Sequence, residues 1–170
     1  AIRGNTRLIA MVHASNVTGA IQPAQEVGQL CRQRDIPFLV DAAQTMGHWE
    51  VDVQALQCDL LAAPGHKGML GPLGTGFLYL SEAMSGRITP IRMGGTGSQS
   101  ESDRQPDRMP DKFESGNLNV PGILGVQKGI EFVRNQGINA IVDHERSLMT
   151  LLREGLQEIP TVQVYGAEVG

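Results

Sequence analysis

Apolar positions follow two rhythms along this chain. In the first half they come as short unbroken runs. LIAMVH (residues 8–13) leads into the polar, turn-forming ASNVTG, the pattern of a buried strand followed by a loop. From Ile21 the spacing becomes that of an amphipathic helix. Ile21, Ala24, Val27, Leu30 and Cys31 share one face, with Pro23 in the first turn, where its missing N–H removes no helical hydrogen bond. PFLVDAAQ (37–44) predicts a second buried strand, LLAA (60–63) a third after a short helical turn near Val53 to Leu56, and GFLYL (76–80) a fourth. Strands alternating with helices in this way predict an α/β fold with a mostly parallel sheet.

The second half changes character. Residues 87–112 are rich in Gly, Ser, Asp, Arg and Pro, too long for an ordinary connection and too glycine-studded for a helix, so they predict a functional loop or a disordered stretch. Residues 121–136 and 138–158 predict two amphipathic helices. Their apolar faces are Ile123, Val126, Ile130, Phe132 and Val133, then Ile141, Leu148, Leu151, Leu152 and Leu156. VQVYG (162–166) predicts the start of a fifth strand.

Composition narrows the class of partner. The 170 residues are 41% hydrophobic and 19% charged, as in a soluble domain with a real core. A net charge of -4 supplies no basic field for nucleic acid or an anionic membrane. No apolar run approaches the ~20 residues needed to cross a bilayer, and no charged-then-apolar leader opens the chain. Cys31 and Cys58 sit inside apolar patterns and form no C-x-x-C, which argues against a disulfide framework and for a reducing cytoplasm. The four histidines, at 13, 48, 66 and 144, have no metal-ligand spacing.

The candidate chemistry gathers where ligands sit in parallel sheets, at the carboxyl ends of strands. Asn16 follows the first strand, Asp41 and Gln44 close the second, and His66 and Lys67 follow the third. Singly, each has a plain alternative: Lys67 a solvated loop lysine, Asp41 a turn former, Gln44 and Asn16 loop residues, His66 a helix cap. Together, a carboxylate, an amide, an imidazole and a lysine suit a ligand with a cationic ring nitrogen, a phosphate and an electrophilic carbon. Pyridoxal phosphate is such a ligand, with Lys67 and Asp41 as its two defining partners. Lys67 lacks the G-x-x-x-x-G-K-[ST] frame of a P-loop, and Gly74 and Gly76 do not extend to G-x-G-x-x-G.

Five ordered segments carry a resemblance. HASNVTGAIQP, VDAAQTMG, PGHKGMLGPLGTGFLYL, GGTGSQSE and FESGNLNVPGI resemble the cysteine desulfurase and selenocysteine lyase branch of the class V aminotransferases, over residues 8–133 and more weakly beyond. The resemblance implies a pyridoxal phosphate enzyme of fold type I, a three-layer α/β/α major domain present in part. It implies that Lys67 forms the internal aldimine and moves protons, that Asp41 pairs with the pyridinium nitrogen, and that Gln44 bonds the phenolic oxygen. His66 is similar to a phosphate-contacting histidine, and Asn16 to the asparagine beside the phenolic oxygen and substrate carboxylate. Gly116 and Asn117 resemble the segment that reaches a neighbouring subunit's cofactor phosphate, which implies a homodimer. Two positions depart from the pattern: Pro64 replaces a common serine and Asn117 a common threonine.

The expected organisation follows. Residues 1–133 are part of the cofactor-binding major domain, with 87–119 a long functional loop, and 134–170 begin a smaller domain. The chain is expected to be the middle of a longer enzyme, because family members carry the ring-stacking aromatic upstream and the carboxylate-binding arginine and persulfide-forming cysteine downstream. The expected activity is desulfuration of cysteine-type amino acids, with a possible sulfur-acceptor protein. An aminotransferase of the same fold and an inactive module are the alternatives.

Overall fold

A computed structural model describes residues 1–95, 97–99 and 101–166. Thr96 and Ser100 of the motif GGTGSQSE, and residues 167–170 at the end of the expected smaller domain, lie outside the described residues. Each apolar run of the first half forms a strand: β1 (Ile9–Val12), β2 (Phe38–Asp41), β3 (Leu60–Pro64) and β4 (Gly76–Leu80). They make one sheet in the order β1-β2-β3-β4. β1 and β3 flank β2 in parallel, while β4 returns antiparallel along β3. Asp59 fastens the entry edge: its carboxylate accepts from the Phe38 N–H at 3.0 Å and its carbonyl from the Ser81 N–H at 2.8 Å.

Alternation along the strands separates two faces. Phe38, Val40, Leu61 and Ala63 form one, buried against Ala24 and Cys31 of helix α1 (Ala24–Gln33) together with Leu56 and Cys58. This is the core. The opposite face carries Val12, Asp41, Ala62 and Leu78, which the register places side by side on successive strands. Val12 is 45% and Leu78 47% exposed, so the described residues cover this face only in part. The fold is accordingly a partial α/β layer.

Three features depart from or add to the sequence reading. GFLYL is an edge strand with Phe77 and Leu78 exposed, because β4 closes the sheet on that side. VQVYG forms no strand: residues 162–165 are irregular and pair with no strand, and Tyr165 is 80% exposed. A short helix, α2 (Glu82–Ser85), follows β4 where none was predicted.

The two predicted helices of the second half are present as α3 (Val120–Gln136) and α4 (Ile138–Gln157). The Asn119 side chain accepts from the Gly122 N–H at 3.1 Å and starts α3, and Gly137, at φ +84°, turns it into α4. α3 lies against the β3–β4 connection so closely that a Cβ on Gly129 would stand 2.0 Å from the Met69 carbonyl oxygen. α4 buries no residue completely; Leu148, Leu151 and Leu152, expected on its packed face, are all exposed. It is held instead by polar contacts, Glu145 to His48 at 2.7 Å and Arg146 over the Trp49 ring at 5.4 Å. In the long loop, buried Lys112 donates to the Ser85 carbonyl at 2.7 Å, and the Gly116 N–H donates to the Gly95 carbonyl at 2.8 Å.

Candidate active site at the strand ends

Parallel pairing decides where the polar residues go. Val12, Asp41 and Ala62 are register partners on β1, β2 and β3, so the residues that follow them leave the sheet at one edge. Asn16 lies four residues past Val12, Gln44 three past Asp41, and Lys67 five past Ala62. The common crevice predicted for Asn16, Asp41, Gln44, His66 and Lys67 therefore has its topological basis. Asn117 is exposed in the segment before α3, and no described hydrogen bond or ion pair links it to the other five.

Asp41 is half-buried at the last position of β2, where its Oδ1 accepts from the Ala43 N–H at 2.9 Å. Its second carboxylate oxygen, the Gln44 amide and the Lys67 ammonium have no side-chain partner among the described residues. They are available to a ligand. Gln44 and Lys67 are half-buried, whereas His66 and Asn16 are exposed. Around Lys67 the backbone is closed on itself: the Leu70 N–H donates to the Lys67 carbonyl at 2.8 Å and the Gly71 N–H to the Gly65 carbonyl at 2.7 Å. Leu70 takes φ +54°, a left-handed conformation uncommon for a side-chain-bearing residue.

The turn after β2 presses against this loop. Gly47 takes φ +87°, and a Cβ there would stand 2.3 Å from the Gly68 carbonyl group. A Cβ on Gly68 would in turn lie 2.3 Å from the Met46 carbonyl oxygen and 2.5 Å from the His48 ring. Backbone meets backbone between the segment of Asp41 and Gln44 and that of Lys67. Two glycines make this contact possible.

Sequence reasoning missed His13 and Thr45. Both are buried, and His13 Nδ1 lies 3.0 Å from Thr45 Oγ1. Burial lowers the His13 pKa from its ordinary 6.5. Between 6.5 and that lowered value the unfolded chain binds a proton that the folded chain does not, so stability falls as pH falls through this window and levels off below it. A His13→Gln variant is expected to lack that slope. Urea unfolding of both proteins across the window checks this, and parallel curves would refute it.

The cysteines belong to the core cluster. Cys31 and Cys58 are buried, and desolvation raises both thiol pKa values, that of Cys58 to about 11. Both remain protonated thiols at neutral pH. Among the described residues no cluster of His, Cys, Asp or Glu is arranged to hold a metal ion, and no helix is long and apolar enough to cross a membrane. Among the described residues, surface grooves of about 570, 370 and 430 Å³ are lined by other residues; the first runs beside α1 and touches His13.

Comparison with known proteins gives the site its context. The family model for class-V aminotransferases matches residues 1–169. The probable cysteine desulfurase of Methanothermobacter thermautotrophicus is 39% identical over 168 residues, covering 98% of this chain and 42% of that protein. Among solved structures, the apo cysteine desulfurase from Thermococcus onnurineus NA1 superposes with a TM-score of 0.86 at 35% identity, covering 95% of this chain and 41% of that one. The Escherichia coli cysteine desulfurase CsdA superposes at 0.87 with 27% identity, covering 99% and 42%. The chain thus spans about two fifths of the length of the curated relatives it matches.

Proposed function

Because this chain belongs to the class-V aminotransferase family, we propose that the whole protein is a pyridoxal phosphate-dependent cysteine desulfurase acting on L-cysteine or a close analogue. The observation that supports the reading is the parallel pairing of β2 with β3, at whose carboxyl ends the chain carries Asp41 and leads on to Lys67, each with polar atoms free of side-chain partners among the described residues. The donor set fits the cofactor. Bound there, pyridoxal phosphate supplies an electrophilic carbon and an electron-withdrawing ring that stabilises charge left on the substrate carbon.

In this reading Lys67 Nζ holds the cofactor, then takes and returns the proton at the substrate α-carbon. Asp41, oriented by the Ala43 N–H, keeps the ring nitrogen protonated through its free oxygen. The Gln44 amide donates to the phenolic oxygen, and Asn16 stands beside that oxygen and the substrate carboxylate. His66 contacts the phosphate. Pro64 donates nothing, so other groups complete that contact. Asn117, exposed in the segment before α3, serves the corresponding site of a second copy in a homodimer, its amide donating where a hydroxyl is common. Neither buried cysteine is the thiol that receives sulfur.

The test is product analysis of the intact, cofactor-loaded protein with L-cysteine. Alanine and released sulfur in equal amounts are expected. Pyridoxamine phosphate and a keto acid in their place would identify a transaminase, and no product of either kind would overturn the assignment.

A further inference from the structure

His13 makes three contacts that meet at the strand ends. Its N–H donates to the Asp41 carbonyl at 2.8 Å, extending the β1–β2 ladder past the last strand residues. Its carbonyl accepts from the Gln22 N–H at 2.8 Å, at the far side of the loop that carries Asn16. Its ring reaches Thr45, the residue after Gln44, at 3.0 Å. Among the described hydrogen bonds the Asn16 loop is otherwise tied only to itself: Ala14 bridges Ile21, the Ser15 N–H donates to the Ala20 carbonyl, and Ser15 Oγ accepts from the N–H groups of Val17 and Thr18. Among the described side-chain hydrogen bonds, the His13–Thr45 contact is the one that joins this loop to the turn of Asp41 and Gln44.

From this geometry we infer that His13 and Thr45 are positioning residues, which fix Asn16 relative to Asp41 and Gln44 through a buried side-chain hydrogen bond. The inference rests on the proposed function for the meaning of that spacing, though not for its existence. Neither residue touches the cofactor or substrate in this role. Thr45 sits 3% and His13 6% exposed, so water cannot readily replace a lost partner, and removing the hydroxyl leaves a buried ring nitrogen unpaired.

Thr45→Val keeps the shape and deletes the hydroxyl, whereas Thr45→Ser keeps the hydroxyl. In the intact cofactor-free protein, amide hydrogen exchange of residues 14–21 is expected to accelerate about fivefold in Thr45→Val, with β2 and β3 unchanged and Thr45→Ser close to wild type. Binding of added pyridoxal phosphate is expected to weaken by a similar factor in the valine variant alone. Unchanged exchange in 14–21, or equal acceleration through β2 and β3, overturns the inference; the second result would make the bond a general stabiliser. Should Thr45→Val fail to fold, His13→Gln and His13→Ala give the same comparison. Borohydride trapping of the cofactor on wild-type Lys67 is run in parallel. Failure there counts against the proposed function and leaves the exchange result to decide the positioning role.

Discussion

Lys67→Ala in the intact protein is expected to abolish covalent retention of pyridoxal phosphate and to lower turnover of L-cysteine by at least ~10³-fold, the scale of a lost proton-transfer group with its covalent anchor. The fold should survive. Lys67 is half-buried, and its ammonium has no hydrogen bond or ion pair among the described residues, so its removal leaves no partner stranded and should change stability by no more than ~0.5 kcal/mol. Two measurements check this. Borohydride reduction followed by peptide mapping should label Lys67 in the wild type and nothing in the variant, and thermal unfolding should give matching midpoints. Retained turnover in the variant would falsify the role of Lys67 outright.

Gly68→Ala should produce the opposite pattern, in which the fold and the site suffer together. The new methyl group would stand 2.3 Å from the Met46 carbonyl oxygen and 2.5 Å from His48 Cδ2, distances that nonbonded carbon does not tolerate. One of the two segments must move. His48 is restrained by its 2.7 Å contact to Glu145 of α4, and Met46 by backbone, so relaxation falls on the loop of Lys67. Overpacking of this kind costs roughly 1–3 kcal/mol. A displacement of ~1 Å at an adjacent catalytic group lowers turnover by about 100-fold. Thermal unfolding and kcat for Gly68→Ala test both parts, and wild-type values in both would show that the contact yields freely.

Much of the candidate site is legible in the linear order of residues. A polar residue directly after a short apolar run must lie near a strand end, and three such runs bring Asn16, Asp41, Gln44, His66 and Lys67 to equivalent places. The same order leaves Asn117 in a loop without indicating its neighbours. His13 and Thr45 escaped notice because one reads as the tail of a strand and the other as an ordinary hydroxyl. Their bond joins positions 32 apart, a distance no periodicity encodes. Lys112 escaped for a related reason: a lysine in a polar loop reads as solvated, yet its ammonium is buried against the Ser85 carbonyl.

The sequence by itself determined the α/β class, four of the strands, the two long helices and the residue types at the strand ends. Those features depend on neighbours a few positions away, through side-chain period, chain stiffness and turn chemistry. Only the tertiary structure decided that β4 runs antiparallel at an edge, that residues 162–165 pair with nothing, and that α4 keeps Leu148, Leu151 and Leu152 exposed while polar contacts tie it to His48 and Trp49. It also decided that Gly47 and Gly68 meet. The physical reason is that burial and pairing depend on which surfaces the folded chain brings together: an apolar stripe states what a helix can bury, and the packed neighbour determines whether it is buried.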